Sequence, residues 1–245
     1  MFRNCGSSCG ETAITTFPTR LSEATAPPEA DALEIPDPPT PYPDEPAQGS
    51  GTSLANIWSR AGLLRQDIRP NISQEGLAAP GLKLDLLLRL RSARPRPAPV
   101  SGAAVYIWHC DAAGDYSVYG RNDADYLRGI GISDSNGRVR FTTIFPGTYR
   151  GRAPHIHFEI YPSLSSVPKP SNCMLRSRLL FPDAISHEIY SSNLVYRASL
   201  KVFDELVFDR SSPTAATQAR KQQTALVNGS TRVGVRASAA IALPD

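Results

Sequence analysis

The segment Pro154-His155-Ile156-His157-Phe158 holds two of the chain's four histidines within three residues. On a strand, residues i and i+2 project to the same face. The two imidazoles would then stand side by side at a spacing that suits one metal ion. Three chemistries could use the pair. Glu159 shares their parity, and two histidines with one carboxylate suit non-haem iron(II) or zinc. Three successive same-face strand positions span about 13 Å at roughly 3.3 Å per residue, however, so they rarely converge on one ion. A structural zinc site would draw on Cys110 and Cys173, the cysteines flanking this region, which could equally be buried thiols or a bridge. Tyrosinates are the third option. Tyr149 follows the turn Pro146-Gly147 and precedes His155 by six residues, so a tight turn can carry it over the face of the next strand. Tyr116 ends the run Trp108-His109-Cys110-Asp111-Ala112-Ala113-Gly114-Asp115. A free phenol titrates near about 10, and a trivalent, Lewis-acidic iron would lower that value and select the phenolate. His109, at a strand end, reads as a packing residue, and His187 as a solvated helical one.

The elements that must position these side chains are mostly strands. Leu82, Leu84, Leu86, Leu88 and Leu90 share one parity, the mark of a strand with one buried face. Residues 103–110 are rich in β-branched and aromatic types and predict a second strand. Asp134-Ser135-Asn136-Gly137 reads as a turn before Val139, Phe141 and Thr143, again on one parity. Residues 153–161 predict the strand that carries the histidines. Asn228-Gly229 reads as a hairpin turn leading into Val233, Val235, Ala237, Ala239, Ile241 and Leu243. Helix is expected over residues 183–206 and as a short turn in 54–66. The pattern is mainly β: a sandwich of mixed and antiparallel sheets with few short helices. Residues 61–245 form that domain. Residues 1–60 read as a proline-rich arm, extended or partly disordered, with eight prolines between Pro27 and Pro46.

Composition narrows the partners. The net charge of +3 is spread over scattered arginines, with no basic stripe that would mark a nucleic-acid surface. No apolar stretch reaches the roughly 18 residues needed to cross a bilayer. No apolar leader follows Met1, so a cytoplasmic protein is the default expectation, with export left open. Four cysteines do not make a disulfide scaffold, and Cys5 and Cys9 lack a zinc-ribbon spacing.

Four separated motifs, in order, resemble the intradiol ring-cleavage dioxygenases: Val105–Tyr119, Tyr126–Gly137, Thr142–Phe158 and Leu179-Leu180-Phe181-Pro182. The resemblance is closest to short, single-domain members with a Trp-His-Cys-Asp-Ala pattern and covers roughly residues 65–245. It implies an Fe(III) cofactor held by Tyr116 and His155 as equatorial ligands and by Tyr149 and His157 as axial ones. It also implies a catechol-type substrate, O2 as co-substrate, and a cis,cis-muconate-type product. Tyr149 would be displaced by substrate and take a proton, and Arg152 would stabilise charge developing on the ring. A homo-oligomer is compatible with the resemblance. Two departures stand out. Only Arg150 and Gly151 separate Tyr149 from Arg152, which implies a more open pocket, and Arg178 stands where the family commonly has glutamine. Two alternatives stay beside this reading: an iron(II) or zinc enzyme using His155, His157 and Glu159, and a non-catalytic β-sandwich binding module.

Overall fold

The computed structural model describes residues 61–73, 76–118, 124–149, 152–167, 169–209 and 224–244. The arm, Tyr119 and the Arg150-Gly151 link lie outside them. Eight strands build two four-stranded sheets. The first runs in the order β4 (Arg138–Ile144), β1 (Lys83–Ser92), β8 (Gly234–Leu243), β7 (Leu226–Ser230). Its β1–β8 pair is parallel and its other two pairs are antiparallel. The second runs β3 (Arg128–Ile132), β2 (Ala104–Trp108), β5 (His155–Tyr161), β6 (Leu175–Leu180), all antiparallel. This is the mixed and antiparallel sandwich that the alternation predicts. Helices α1 (Asp183–Ser192) and α2 (Arg197–Asp209) follow β6, the second ending three residues beyond the expected stretch.

The alternating leucines of β1 form one wall of the main core. Leu84, Leu86, Leu88 and Leu90 pack with Val139, Phe141, Val235 and Ala237 of their own sheet and with Val105, Ile107, Ile156, Phe158 and Ile160 of the other. The opposite face of the second sheet is buried as well. There Ala104, Tyr106, Trp108, Ile130 and Tyr161 make a second apolar cluster with Leu63. Strand β5 is consequently buried along its whole length.

Residues 63–68 are not helical but extended. Leu63 and Arg65 exchange backbone hydrogen bonds with Ile130, and Gln66 and Ile68 do so with Thr142, so one segment straps the edges of both sheets. Pairing an edge this way satisfies donors and acceptors that would otherwise face solvent. The strap is anchored by Arg65, whose guanidinium donates to the carbonyls of Arg128, Pro70 and Asp125. The final hairpin departs from its dipeptide signal. Asn228 and Gly229 lie inside β7, opposite Arg236 and Val235, and the turn falls at Thr231–Val233. Backbone pairing to β8 outweighs the local turn preference there.

Leu88 is 1% exposed and has core neighbours on every side. Leu88→Ala is expected to lose about 2–5 kcal/mol of unfolding free energy through a cavity in the first sheet. Urea denaturation read by circular dichroism measures it, and a loss below about 1 kcal/mol would mean that the core collapses around the gap.

Candidate metal centre

The histidine pair sits on the outer face of β5, with Ile156 and Phe158 turned into the main core. The His155 Nδ1 lies 2.6 Å from the Ala153 carbonyl oxygen, an acceptor, so Nδ1 carries the proton and Nε2 keeps its lone pair. That Nε2 is 3.0 Å from His157 Nε2, with the two rings nearly perpendicular at 89°. His157 stacks on Trp108 at 4.8 Å and 9°, and Trp108 in turn stacks on Tyr106 at 4.9 Å. Burial lowers the His155 pKa to about 4 and holds that of His157 well below the usual imidazole value. Arg178 and Arg152 push both in the same direction. Both imidazoles are therefore neutral, lone-pair donors near neutral pH.

Two loops bring tyrosines to this pair. The Tyr116 hydroxyl is 3.3 Å from His155 Nε2, and the Tyr149 ring stands edge-on to Tyr116 at 5.7 Å and to His155 at 5.8 Å. The first loop is organised by Asp111. One carboxylate oxygen accepts the N–H groups of Ala113 and Asp115, and the other accepts the Tyr126 hydroxyl. The second loop is held by the helices: Tyr190 and Tyr196 donate to the carbonyls of Pro146 and Phe145, and Ser199 accepts from Thr148 N–H while donating to Ala112. The loops meet back to back at two glycines. A Cβ on Gly147 would sit 2.3 Å from the Asp111 oxygen, and one on Gly114, at φ +97°, would sit 2.4 Å from the Thr148 oxygen. Only glycine permits that approach. Burial raises both phenol pKa values, that of Tyr116 strongly.

The structure thus brings Tyr116, Tyr149, His155 and His157 together. Arg152 is half-buried beside them, its N–H on the Tyr149 carbonyl at 3.0 Å, and its charge acts on Tyr149 and both histidines. Arg178 pairs with His157 across β5 and β6 and so lies on the same face. Glu159 is kept apart. Its carboxylate is bound by Arg176 at 2.7 Å through one oxygen and by the Tyr161 hydroxyl at 2.6 Å through the other. Among the described residues no three His, Cys, Asp or Glu side chains gather as a metal site, and Cys110 and Cys173 are both free thiols. His109 is a packing residue, its ring bonded to Thr143 and the Cys110 carbonyl. His187 is exposed on α1. Ser199, Tyr190 and Tyr196 escaped the sequence reading as supports of the site, because a hydroxyl's partner on a distant loop leaves no local pattern.

The two-sheet sandwich carries paired histidines and tyrosines on one buried face, and known proteins share part of its sequence and its fold. A family model described as dioxygenase matches residues 69–160, the span that holds Tyr116, Tyr149, Arg152, His155 and His157. A curated catechol 1,2-dioxygenase of Pseudomonas sp. (strain EST1001) is 38% identical over 52 residues, which is 21% of this chain and 17% of that protein. The chain thus spans about a sixth of that relative's length. An intradiol ring-cleavage dioxygenase from Tetranychus urticae shares the fold with a TM-score of 0.54 at 23% identity, over 74% of this chain and 87% of that one. A second dioxygenase crystal structure gives 0.54 at 24% identity, over 74% and 86%. Residues 69–160 are thus similar to the dioxygenase family model, and the sandwich shares its fold with an intradiol ring-cleavage dioxygenase, in keeping with the resemblance carried by the four motifs.

The buried imidazoles make stability depend on pH. His109 and His155 have folded pKa values of about 4, below the ordinary value near 6.5, so the unfolded chain takes up these protons first. Their contribution is complete above pH ~6.5 and is lost as pH falls toward ~4, on the order of 3 kcal/mol for each. Urea denaturation of the metal-free protein across that range should show the decline, shallower in His109→Gln. A flat profile would mean that the imidazoles protonate in the folded state without penalty.

Proposed function

We propose that this protein is an Fe(III)-dependent intradiol dioxygenase that opens a catechol-type ring between its two hydroxylated carbons. O2 supplies both oxygen atoms, which end in the two carboxyl groups of a cis,cis-muconate-type product. The observation that carries this reading is the convergence on His155 Nε2 of the Tyr116 hydroxyl, at 3.3 Å, and of His157 Nε2, at 3.0 Å, with Tyr149 packed against Tyr116 and His155. Two neutral imidazoles and two phenols, without thiolate or carboxylate, suit a hard, strongly Lewis-acidic cation. Tyr116, Tyr149, His155 and His157 would hold it. When bound, ferric iron would draw electron density from the catecholate and so make the ring reactive toward O2.

The chain's own groups supply the rest. The two histidines stay unprotonated because they are buried, so acid does not compete for their lone pairs until well below neutral pH. Burial raises the Tyr149 pKa less strongly than that of Tyr116, and its hydrogen bond with Tyr116, then Arg152 and Arg178, lower it against that effect. It is the phenol suited to leave the centre and take the proton of an incoming catechol hydroxyl at its Oη. Arg152, next to it, is a fixed cation where charge develops on the ring. Glu159 takes no part, since both its oxygens are engaged elsewhere.

Iron-loaded protein should be red-brown from tyrosinate charge transfer and should consume O2 with catechol, protocatechuate, hydroxyquinol or a larger catechol. Tyr149→Phe and His157→Ala should abolish turnover, and loss of either tyrosine should shift or bleach the band. Arg152→Lys keeps the charge but not the planar donor pair, so it should keep the colour and lower kcat about tenfold to a hundredfold. A colourless iron-loaded protein, or four ligand variants with full activity, would sink the assignment. An unchanged kcat in Arg152→Lys would remove that residue's role.

A further inference from the structure

Arg128 opens β3 at 1% exposure, making it one of the largest fully buried side chains of the protein. A guanidinium keeps its charge even when buried, so its donors must be matched by acceptors. They point in two directions. Nε donates to the Ser117 hydroxyl at 3.2 Å and Nη2 to the Ser117 carbonyl at 3.0 Å, gripping the residue next to Tyr116. Nη1 donates to the Tyr106 hydroxyl at 2.9 Å, and Tyr106 begins the stack that runs through Trp108 to His157. One side chain thereby reaches two members of the proposed centre along independent routes, a loop on one side and a column of aromatic rings on the other.

The backbone on either side of this grip is held in uncommon conformations. Among the described residues the two non-glycine positions with positive φ are Val118, at 75°, and Leu127, at 56°. The first directly follows Ser117 and the second directly precedes Arg128. A β-branched residue at positive φ costs on the order of 1–3 kcal/mol and persists only where its surroundings over-determine it. Here the Val118 N–H is bonded to Ala124 and the Leu127 N–H to Ile68 of the strap, while Arg65 caps the Arg128 carbonyl. The strap, the Tyr116 loop and β3 are locked around one cation.

We infer that Arg128 is a positioning residue for the metal centre, setting Tyr116 through Ser117 and His157 through the Tyr106–Trp108 stack. This rests on the metal reading above. Partners that orient a ligand from behind typically change metal affinity about tenfold to a hundredfold when altered. Lysine at 128 would keep the charge but cannot grip Ser117 twice and Tyr106 at once.

The test is ferric titration of the full chain in its metal-free form, using ferric nitrilotriacetate and reading the visible charge-transfer band, with folding checked by circular dichroism. Arg128→Lys should raise the iron concentration at half-saturation about tenfold to a hundredfold and shift the band. Tyr106→Phe and Ser117→Ala, which each remove one hydroxyl and no packing volume to speak of, should give smaller changes of the same kind and carry the test if Arg128→Lys does not fold. Leu88→Ala, in the opposite sheet, should lower Tm while leaving band and half-saturation alone. Folded variants at 128, 106 and 117 with the wild-type band and half-saturation would overturn the inference while leaving the metal centre intact. A wild type that develops no band would overturn the metal reading, and this inference with it.

Discussion

Two neutral imidazoles on a strand buried on both faces are the constraint that the rest of the structure serves. A histidine in water spends part of its time protonated near neutral pH, and a protonated ring donates no lone pair. Strand β5 removes that option by burial. Its inner residues Ile156, Phe158 and Ile160 join the main core, and its outer residues are flanked by Tyr106 and Trp108 of β2, which with Tyr161 belong to the second apolar cluster. The second sheet therefore cannot be half-solvated in the usual manner of an antiparallel sheet. The strap from Leu63 to Ile68 pairs along its β3 edge and adds Leu63 to the cluster on that face.

With the histidines set, the tyrosines must arrive from loops, and loops are held only where something packs on them. Two kinds of support do this. Asp111 converts the first loop into a closed turn by accepting two of its N–H groups, and glycine contacts then key it against the second loop. The helices act as braces: Tyr190, Tyr196 and Ser199 all end on carbonyl or N–H groups between Phe145 and Thr148. Among the described residues the two α-helices, with the turn between them, bond to the segment that leads into Tyr149. The backbone leading to Tyr149 is thus held from two directions, by the first loop and by the helices.

Much of this was legible in the residues. The leucine alternation of β1, the turn at Asp134–Gly137 and the i, i+2 histidines depend on period-two geometry, which short windows reveal. The pairing of Tyr116 with Tyr149 was legible through motif resemblance alone, because loop-to-loop contacts leave no periodic trace. The buried roles of Arg128 and Ser199 were not legible: an arginine or a serine is ordinarily a surface residue, and only the fold tells which acceptors surround it. The misplaced hairpin turn has the same origin. Asn228-Gly229 has the local preference for a turn, but the register of β7 against β8 gains more from continued pairing, and the chain reverses at Thr231–Val233 instead.

The choice between a carboxylate centre and a tyrosinate centre shows how neighbouring rows of one sheet divide the work. Across the outer face of the second sheet, Trp108, His157 and Arg178 form one row and Tyr106, Glu159 and Arg176 the next. In the second row the carboxylate is neutralised in place by Arg176 and by the Tyr161 hydroxyl, at 3% exposure. A buried carboxylate bound through both oxygens is costly to release, since it would leave a guanidinium and a hydroxyl unmatched in a dry environment. Parity on the strand gives Glu159 the same face as the histidines, yet hydrogen-bond saturation withholds it from any ion they hold. If the histidines hold a cation as proposed, its anionic ligands would come from groups that are neutral until a cation draws off their protons, and the two tyrosines beside them are such groups. Without a carboxylate, and with Arg152 and Arg178 at its side, this face carries little negative charge of its own, and under the proposed function that would favour a dianionic, oxygen-donating ring.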